Sequence, residues 1–161
     1  MSRLARILAL GAAAVSVAVA TSACGTQKIS VPHAQNQLYH GAVLFSERCA
    51  GCHTLSYAAT HGSAPNVRTA MDISGPNFDQ RCERPVLRVL YAIENGGFSG
   101  AYMPQNVVVG QDAIDVARFV ATYAGHQAPP APGAKPCEQR PIGSLPATVG
   151  GQPTDLASAG S

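Results

Sequence analysis

Several residue types are scarce in this chain of 161 residues, and each scarcity limits what the protein can be. Tryptophan is absent, and charged residues make up only 12% of the sequence. The formal net charge of +2 is too small to indicate a nucleic-acid binder. The 16 glycines and 12 prolines indicate short elements and much irregular backbone. With this length and 46% hydrophobic residues, we expect one domain with appendages rather than two full domains.

The N-terminus has the features of an export signal. Two arginines precede the apolar residues 7–20, a run long enough for a signal peptide and short for a membrane span. Residues 18–20 (AVA) form a site for ordinary signal peptidase, whereas residues 21–24 (TSAC) resemble a bacterial lipoprotein box, in which Cys24 receives lipid. We predict a signal peptide over residues 1–23 and a lipid anchor at the outer face of the bacterial cytoplasmic membrane. The alternative is a soluble exported or periplasmic protein.

Periodicity divides the rest of the chain into three parts. We predict a lipidated N-terminus and flexible tether over residues 24–37 and the folded domain over residues 38–126. Residues 127–161 are rich in Pro, Ala and Gly, and this composition predicts a mostly disordered tail. The folded part is small, so we expect something besides its own side chains to fill its centre.

Three segments of the domain carry apolar residues at helical spacing, and long loops separate them. The first segment carries Leu38, Gly41, Ala42 and Phe45. The second segment follows Pro85 and carries Val86, Leu87, Leu90 and Ile93. The third segment carries Ile114, Val116, Ala117, Phe119, Val120 and Tyr123. We therefore predict an all-α fold with three main helices.

Residues 49–53 (CAGCH) place two cysteines three positions apart, with a histidine directly after the second. This is the C-x-x-C-H pattern of covalent haem attachment. Two thiols one helical turn apart can each add to a vinyl group on one edge of a porphyrin, and the next residue points its imidazole at the iron. We predict one haem c bound through Cys49 and Cys52, with His53 as an axial ligand of the iron.

Other uses of the cysteine pair fit the sequence less well. A structural zinc site needs a second ligand pair, but Cys82 and Cys137 are far apart and have no histidine at zinc-finger spacing. A thioredoxin-like redox pair expects a βαβ context, whereas no strand pattern precedes this pair. A plain disulfide between Cys49 and Cys52 would leave the adjacent His53 unexplained.

From Gly41 to Tyr123 the sequence resembles class I, mitochondrial-type bacterial cytochromes c. Gly41 and Phe45 stand eight and four residues before the haem motif, where that family has the glycine and the aromatic residue of its N-terminal helix. The resemblance implies the cytochrome c fold, in which this helix packs closely on the C-terminal helix through Val116 and Phe119.

Residues 75–78 (GPNF) look like the G-P-N-L turn of this family, whose proline carbonyl accepts a hydrogen bond from the axial histidine. By resemblance, Pro76 would hold His53 in one orientation and raise its basicity toward iron. The spacing departs from the family, which often has about half as many residues between the histidine and this turn. The difference corresponds to an insertion around residues 60–72.

Met103 is the predicted sixth ligand of the iron. It lies in residues 100–104 (GAYMP), after a helix that ends in two glycines, a sequence similar to the family's methionine ligand loop. Met71 precedes the turn at Pro76 and should lie on the wrong side of the haem. His61, in the inserted loop, is the alternative ligand. The remaining histidines are expected at the surface: His33, His40 and His126.

Two cysteines are left over in an oxidising compartment, Cys82 and Cys137. We predict a disulfide between them, which would close a loop of about 55 residues and limit the freedom of the unfolded chain. The bond would also pin the start of the tail to the domain. The alternative is two inert or reactive thiols.

The predicted function is single-electron transfer by a membrane-tethered cytochrome, from a quinol-oxidising complex to a terminal oxidase. Thioether ligation and burial raise the reduction potential, which suits this position. The alternative is a haem subunit fixed within a membrane dehydrogenase or oxidase complex, with the tail as a docking arm. A gas-binding or peroxidase-like protein would need an open sixth position, against which Met103 argues.

Lys28 and Lys135 are the only lysines, and both lie outside the predicted haem domain. A lysine-ringed docking face for redox partners is therefore absent. We expect the lipid on Cys24 to substitute for electrostatic steering, because anchoring raises the effective concentration near membrane partners.

Overall fold

The computed structural model describes residues 29–66, 68–71, 73–98, 102–129, 132–149 and 152–153. The predicted signal peptide and the predicted lipid site at Cys24 lie outside these residues. Within them, the chain forms three α-helices, two two-stranded antiparallel sheets and two short 3-10 turns. No helix in this part of the chain is long and apolar enough to cross a membrane.

The helices coincide with the three apolar segments of the sequence. Their bounds are α1 (Asn36–Arg48), α2 (Val86–Asn95) and α3 (Gly110–Tyr123). Both α1 and α2 pack against α3. Residues 113–117 and 119–121 of α3 are buried, so this helix contacts protein over most of its surface. The helical core is therefore built around α3.

The connection between α1 and α2 contains a short hairpin. Its strands β1 (Thr54–Leu55) and β2 (Thr60–His61) are antiparallel, and a 3-10 turn over Ser56–Ala58 joins them. The sequence shows only a loop here, because two-residue strands are too short for a visible alternation. A second hairpin in the tail pairs β3 (Thr148–Val149) with β4 (Gln152–Pro153).

The α1 helix approaches α3 closely at Gly41. A Cβ atom at this position would lie 2.9 Å from the Cβ of Phe119 and would overlap the backbone carbonyl of Asp115. The Phe45 ring meets the Phe119 ring edge-on, with 5.7 Å between the ring centroids. The close contact expected between the glycine of the first helix and the last helix is therefore present.

The buried face of α2 differs from the predicted face at one position. Its buried side chains are Val86, Val89, Leu90 and Ile93. These follow the i, i+3, i+4, i+7 spacing of one helix face, from which position 87 departs. Leu87 is 49% exposed, so it does not share the buried face with Val86, Leu90 and Ile93, and Val89 takes its place.

The packed chain begins earlier than the sequence indicates. Val31 is 3% exposed and belongs to the hydrophobic core. The hydroxyl of Tyr123 donates to Oε1 of Gln35 at 2.8 Å, which ties this segment to the end of α3. The sequence predicts a flexible tether over residues 24–37, but residues 29–35 lie on the domain. A single buried valine gives no periodicity, so only the packing reveals it.

The start of the tail packs against the helices. Cys137 is buried, and its sulfur lies 2.01 Å from that of Cys82, at disulfide distance. The amide of Val86 donates to a tail carbonyl at 2.7 Å. Three partly buried side chains of the tail contact the core: Ile142, Leu145 and Val149. The sequence predicts a mostly disordered tail, whereas residues 132–149 make these defined contacts.

Arg84 joins the tail to the last turn of α3. Its guanidinium donates to the carbonyl oxygens of Ala121 at 2.8 Å and Thr122 at 3.0 Å. It also donates to the carbonyl oxygens of Cys137 and Arg140, each at 2.6 Å. Because arginine carries five N–H donors in a fixed geometry, one side chain can satisfy all four carbonyls. The tail is therefore held by hydrogen bonds as well as by the cysteine pair.

Gly41→Ala is expected to destabilise the protein. In a helix with open surroundings this change stabilises by roughly 1 kcal/mol, but here the added Cβ overlaps the α3 backbone. We expect the free energy of unfolding to fall by about 1–3 kcal/mol, as at other overpacked sites. Denaturant unfolding followed by circular dichroism measures the change. Gly51→Ala is the control, because no atom lies within 4 Å of a Cβ there; equal stabilities for the two variants would contradict the close packing.

The double substitution Cys82→Ala, Cys137→Ala is expected to lower stability through the unfolded state. The two cysteines are 55 positions apart. Losing a cross-link of that length stabilises the unfolded chain by about 4 kcal/mol, because the chain gains conformational entropy. Comparing denaturation curves of the variant and the parent measures the loss, which treatment of the parent with a reductant should reproduce. Unreduced peptides that show both thiols free by mass spectrometry would reject the bond.

Candidate functional site

A cavity of about 410 Å³ lies between the end of α1, residues 73–78 and the loop from α2 to α3. This size is in the range of small-molecule and cofactor sites. The two cysteines and the histidine of CAGCH line it, and so does Met103, which follows His53 by 50 positions. Pro76 also belongs to its wall. The fold thus brings these five residues, which the sequence predicts as the haem site, to one cavity.

The CAGCH segment continues α1 by one turn. The amide of Cys49 donates to the Phe45 carbonyl at 2.9 Å. The carbonyl of Cys49 in turn accepts from the amides of Cys52 at 3.2 Å and His53 at 3.0 Å. Both cysteine side chains are half-buried, and neither forms a disulfide. The two thiols are therefore one turn apart at the cavity, followed directly by the imidazole.

The acidity of these thiols bears on the thioredoxin-like alternative. Burial, and then the neighbouring thiol of Cys52, raise the pKa of Cys49 to about 12. Cys49 is therefore protonated at neutral pH. Dithiol exchange needs a thiolate, and proteins that perform it lower the pKa of the attacking cysteine. This environment argues against thiol exchange as the use of the pair.

The ring of His53 is oriented by the backbone at Pro76. Nδ1 of His53 lies 3.2 Å from the Pro76 carbonyl oxygen. Because a carbonyl oxygen only accepts, Nδ1 carries the proton of the neutral ring and Nε2 carries the lone pair. Nε2 is then the atom that can ligate a metal. The structure pairs the same two residues that the resemblance to cytochromes c pairs.

Packing fixes the plane of the same ring. Phe78 stacks on His53 with 4.7 Å between the ring centroids and 7° between the planes. Gly75 approaches so closely that a Cβ there would lie 2.6 Å from Nδ1. Burial lowers the pKa of His53, the hydrogen bond to Pro76 opposes this, and the charge of Arg81 adds to the lowering. The imidazole is thereby kept neutral, the form that binds metals.

The loop that follows α2 holds Met103 at the cavity. Gly96 and Gly97 have φ values of 77° and 82°, a region that favours glycine. A Cβ on Gly96 would lie 2.8 Å from the Met103 carbonyl oxygen, and one on Gly97 would lie 3.6 Å from its sulfur. The amide of Asn106 donates to the Ile93 carbonyl at 2.9 Å and closes the loop onto α2. Backbone contacts thus position the thioether.

The other candidate iron ligands lie elsewhere. Met71 is 65% exposed, and His61 in β2 is also exposed. His40 pairs with α3 instead, with its Nδ1 2.9 Å from Oδ2 of Asp115. None of the following is among the described residues that line the cavity: His33, His40, His61, Met71 and His126.

The cavity wall also carries a charged cluster for which the sequence indicates no role. Glu83 is buried, and its carboxylate pairs with Nε of Arg81 and with Nε of Arg88. The Arg88 guanidinium lies 4.0 Å from the centroid of the Phe98 ring. Arg48 lines the cavity as well. Scattered charges show no pattern in a sequence, so only the path of the chain could reveal this cluster.

The donor set at the cavity is two thiols, one imidazole and one thioether. No group of three or more His, Cys, Asp or Glu that could hold a metal ion occurs among the described residues. A structural zinc site takes four such ligands. The donor set at the cavity therefore differs from that of a structural zinc site.

Comparison with protein-family models, with curated proteins and with solved structures gives no match to this chain. The assignment of the cavity therefore depends on its residues and their geometry.

Gly75→Ala is expected to displace the His53 ring, because the added methyl group would occupy space that the ring fills. We expect the bond to Pro76 to weaken and the free energy of unfolding to fall by about 1–3 kcal/mol. The nitrogen and carbon resonances of the His53 ring, measured by NMR, should shift. Unchanged ring resonances together with parental stability would contradict the contact between the glycine and the imidazole.

Proposed function

We propose that this protein is a monohaem c-type cytochrome with the cytochrome c fold, an electron carrier without catalytic residues of its own. The observation that carries the proposal is that the CAGCH turn and Met103 line one cavity. A haem c uses these four groups, because two thiols form its thioether bonds and the imidazole and methionine sulfur are axial ligands.

A bound haem would supply one-electron redox chemistry, and Cys49, Cys52, His53 and Met103 are the residues that would hold it. The role of the polypeptide is to hold both proposed iron ligands in place. Pro76 and Phe78 fix the imidazole of His53 from its Nδ1 edge and its face. The backbone at Gly97 lies against the side chain of Met103. Since neither ligand has to move, electron exchange needs little rearrangement of the protein.

A haem also brings two carboxylates, and the cavity wall offers cations for them. Arg48 and Arg81 line the cavity. Guanidinium groups match carboxylates in geometry and stay charged at all relevant pH values. The buried carboxylate of Glu83 pairs with Arg81 and so limits where its guanidinium can lie. Arg48 and Arg81 are therefore the residues that would face the haem carboxylates.

The proposed partners are membrane redox complexes, a quinol-oxidising complex as donor and a terminal oxidase as acceptor. Export through residues 1–23 and lipid on Cys24 would place the domain at the outer face of the cytoplasmic membrane. Among the described residues, Ile29 is the first that packs against the core. A link from residue 24 to residue 29 spans at most about 18 Å, so the domain would stay near membrane complexes.

A haem subunit fixed in a dehydrogenase or oxidase complex is the alternative. There the tail would serve as a docking arm, but residues 132–149 lie on the domain, held by Cys137 and Arg84. This packing favours the mobile carrier. Purification in mild detergent separates the two functions: a free monomer supports the carrier, and a stoichiometric complex that resists salt supports the fixed subunit.

The exported wild-type protein is expected to be heavier than its polypeptide by one haem under denaturing conditions. Its ferric form should show the far-red absorption band of methionine ligation and should not bind carbon monoxide when reduced at neutral pH. Met103→Ala should lose the band and gain carbon monoxide binding, because the sixth position opens.

Met71→Ala is the matched control, since Met71 is exposed and lies off the cavity. It should behave as wild type in both assays. A wild-type mass without haem would reject the cofactor. An unchanged spectrum in Met103→Ala would reject the sulfur ligand alone.

A further inference from the structure

We propose that Asp79 is a positioning residue for His53, which fixes the turn that carries Pro76 and Phe78 against the imidazole. The inference rests on the proposed function, because the property it controls is the reduction potential of the bound haem. Asp79 is not among the described residues that line the cavity, so its effect would pass through the backbone of the turn.

The carboxylate of Asp79 is buried and accepts two hydrogen bonds from one residue. Its Oδ1 accepts from the backbone amide of Ser56 at 2.8 Å, and its Oδ2 accepts from the Ser56 hydroxyl at 2.9 Å. Ser56 opens the 3-10 turn between β1 and β2. Burial away from water strengthens such charge-assisted bonds. The carboxylate therefore fastens the end of the His53-contacting turn to the hairpin that follows the haem motif.

Further hydrogen bonds make the turn a single rigid piece. The amide of Asp79 donates to Oδ1 of Asn77 at 2.9 Å. The amide of Phe78 donates to the Thr54 carbonyl at 2.8 Å, and the Phe78 carbonyl accepts from Gly125 at 2.7 Å. A displacement of the side chain at position 79 would therefore move the two residues that contact the imidazole.

The turn controls the ligand through the bond at Nδ1. A strong bond from Nδ1 to the Pro76 carbonyl raises the basicity of Nε2, which stabilises the oxidised iron and lowers the reduction potential. If the turn loosens, this bond weakens and the potential rises. The His53 Nδ1 proton should then exchange with solvent faster.

The effect of removing the negative charge of Asp79 must be distinguished from the effect of removing its hydrogen bonds to Ser56. Loss of a nearby negative charge also raises a reduction potential, so both effects have the same sign. Asp79→Asn separates them, because its amide oxygen can still accept from the Ser56 amide and its NH₂ can donate to the Ser56 hydroxyl. His126, whose Nδ1 lies 3.6 Å from Oδ1 of Asp79, is the titratable neighbour and is left unchanged.

The experiment uses the full exported chain with haem attached, as Asp79→Ala, Asp79→Asn and Ser56→Ala. For Asp79→Ala we expect a raised reduction potential and roughly 2- to 10-fold faster exchange of the His53 Nδ1 proton in the reduced protein. Asp79→Asn should keep wild-type exchange of the Nδ1 proton and show only the smaller rise in reduction potential that loss of the charge produces. Ser56→Ala removes one of the two hydrogen bonds to Asp79, so it should change the reduction potential and the Nδ1 exchange rate in the same direction but by less. If Asp79→Ala does not fold, Ser56→Ala tests the inference in its place.

The matched control is Asp115→Ala. Asp115 is an equally buried carboxylate beside a histidine, but it pairs with His40 and Gln111 between α1 and α3, away from the turn. Its loss should lower thermal stability and leave the potential and the Nδ1 exchange unchanged.

The outcomes distinguish this inference from the proposed function. A protein without haem would reject the proposed function, and the inference with it. A haem protein in which Asp79→Ala and Ser56→Ala keep wild-type potential and exchange would overturn the inference alone. Equal potential shifts in Asp79→Ala and Asp79→Asn, with unchanged exchange, would assign the effect to charge and likewise overturn it.

Discussion

The Nδ1 proton of His53 and the carbonyl oxygen of Pro76 form the hydrogen bond on which the site depends. This bond leaves the lone pair on Nε2 and holds the ring in one orientation, so the protein directs the proposed ligand atom. The bond requires residues 75–78 to lie against the CAGCH turn. The amide of Gly75, which donates to the Cys52 carbonyl at 2.8 Å, secures that approach.

The helices supply the rigidity that a single turn lacks. α1 ends at the CAGCH turn, and α2 ends at the loop that carries Met103. α3 contributes no proposed ligand, but the amide of Gly125 just beyond it donates to the Phe78 carbonyl. The close packing of α1 on α3 at Gly41 therefore links both sides of the cavity. Each proposed ligand is held by an element that α3 contacts.

Local chemistry made much of the site predictable from the sequence. The CAGCH order by itself indicates the proposed haem attachment, and apolar residues at helical spacing predicted the three helices of the described chain. Contacts between distant segments were not predictable. Leu87 and Val89 are both apolar, so the pattern alone could not decide which faces the core. The composition of the tail indicated disorder, because nothing in a composition reveals the four carbonyl contacts of Arg84.

The proposed function requires a single iron bound by Nε2 of His53 and Sδ of Met103. A crystal structure of the exported protein, with anomalous scattering measured at the iron edge, tests it most directly. The claim predicts one iron peak in the cavity, within bonding distance of both atoms, and continuous density from the sulfurs of Cys49 and Cys52 to a porphyrin. No iron peak in the cavity, or a Cys49–Cys52 disulfide there, would contradict it.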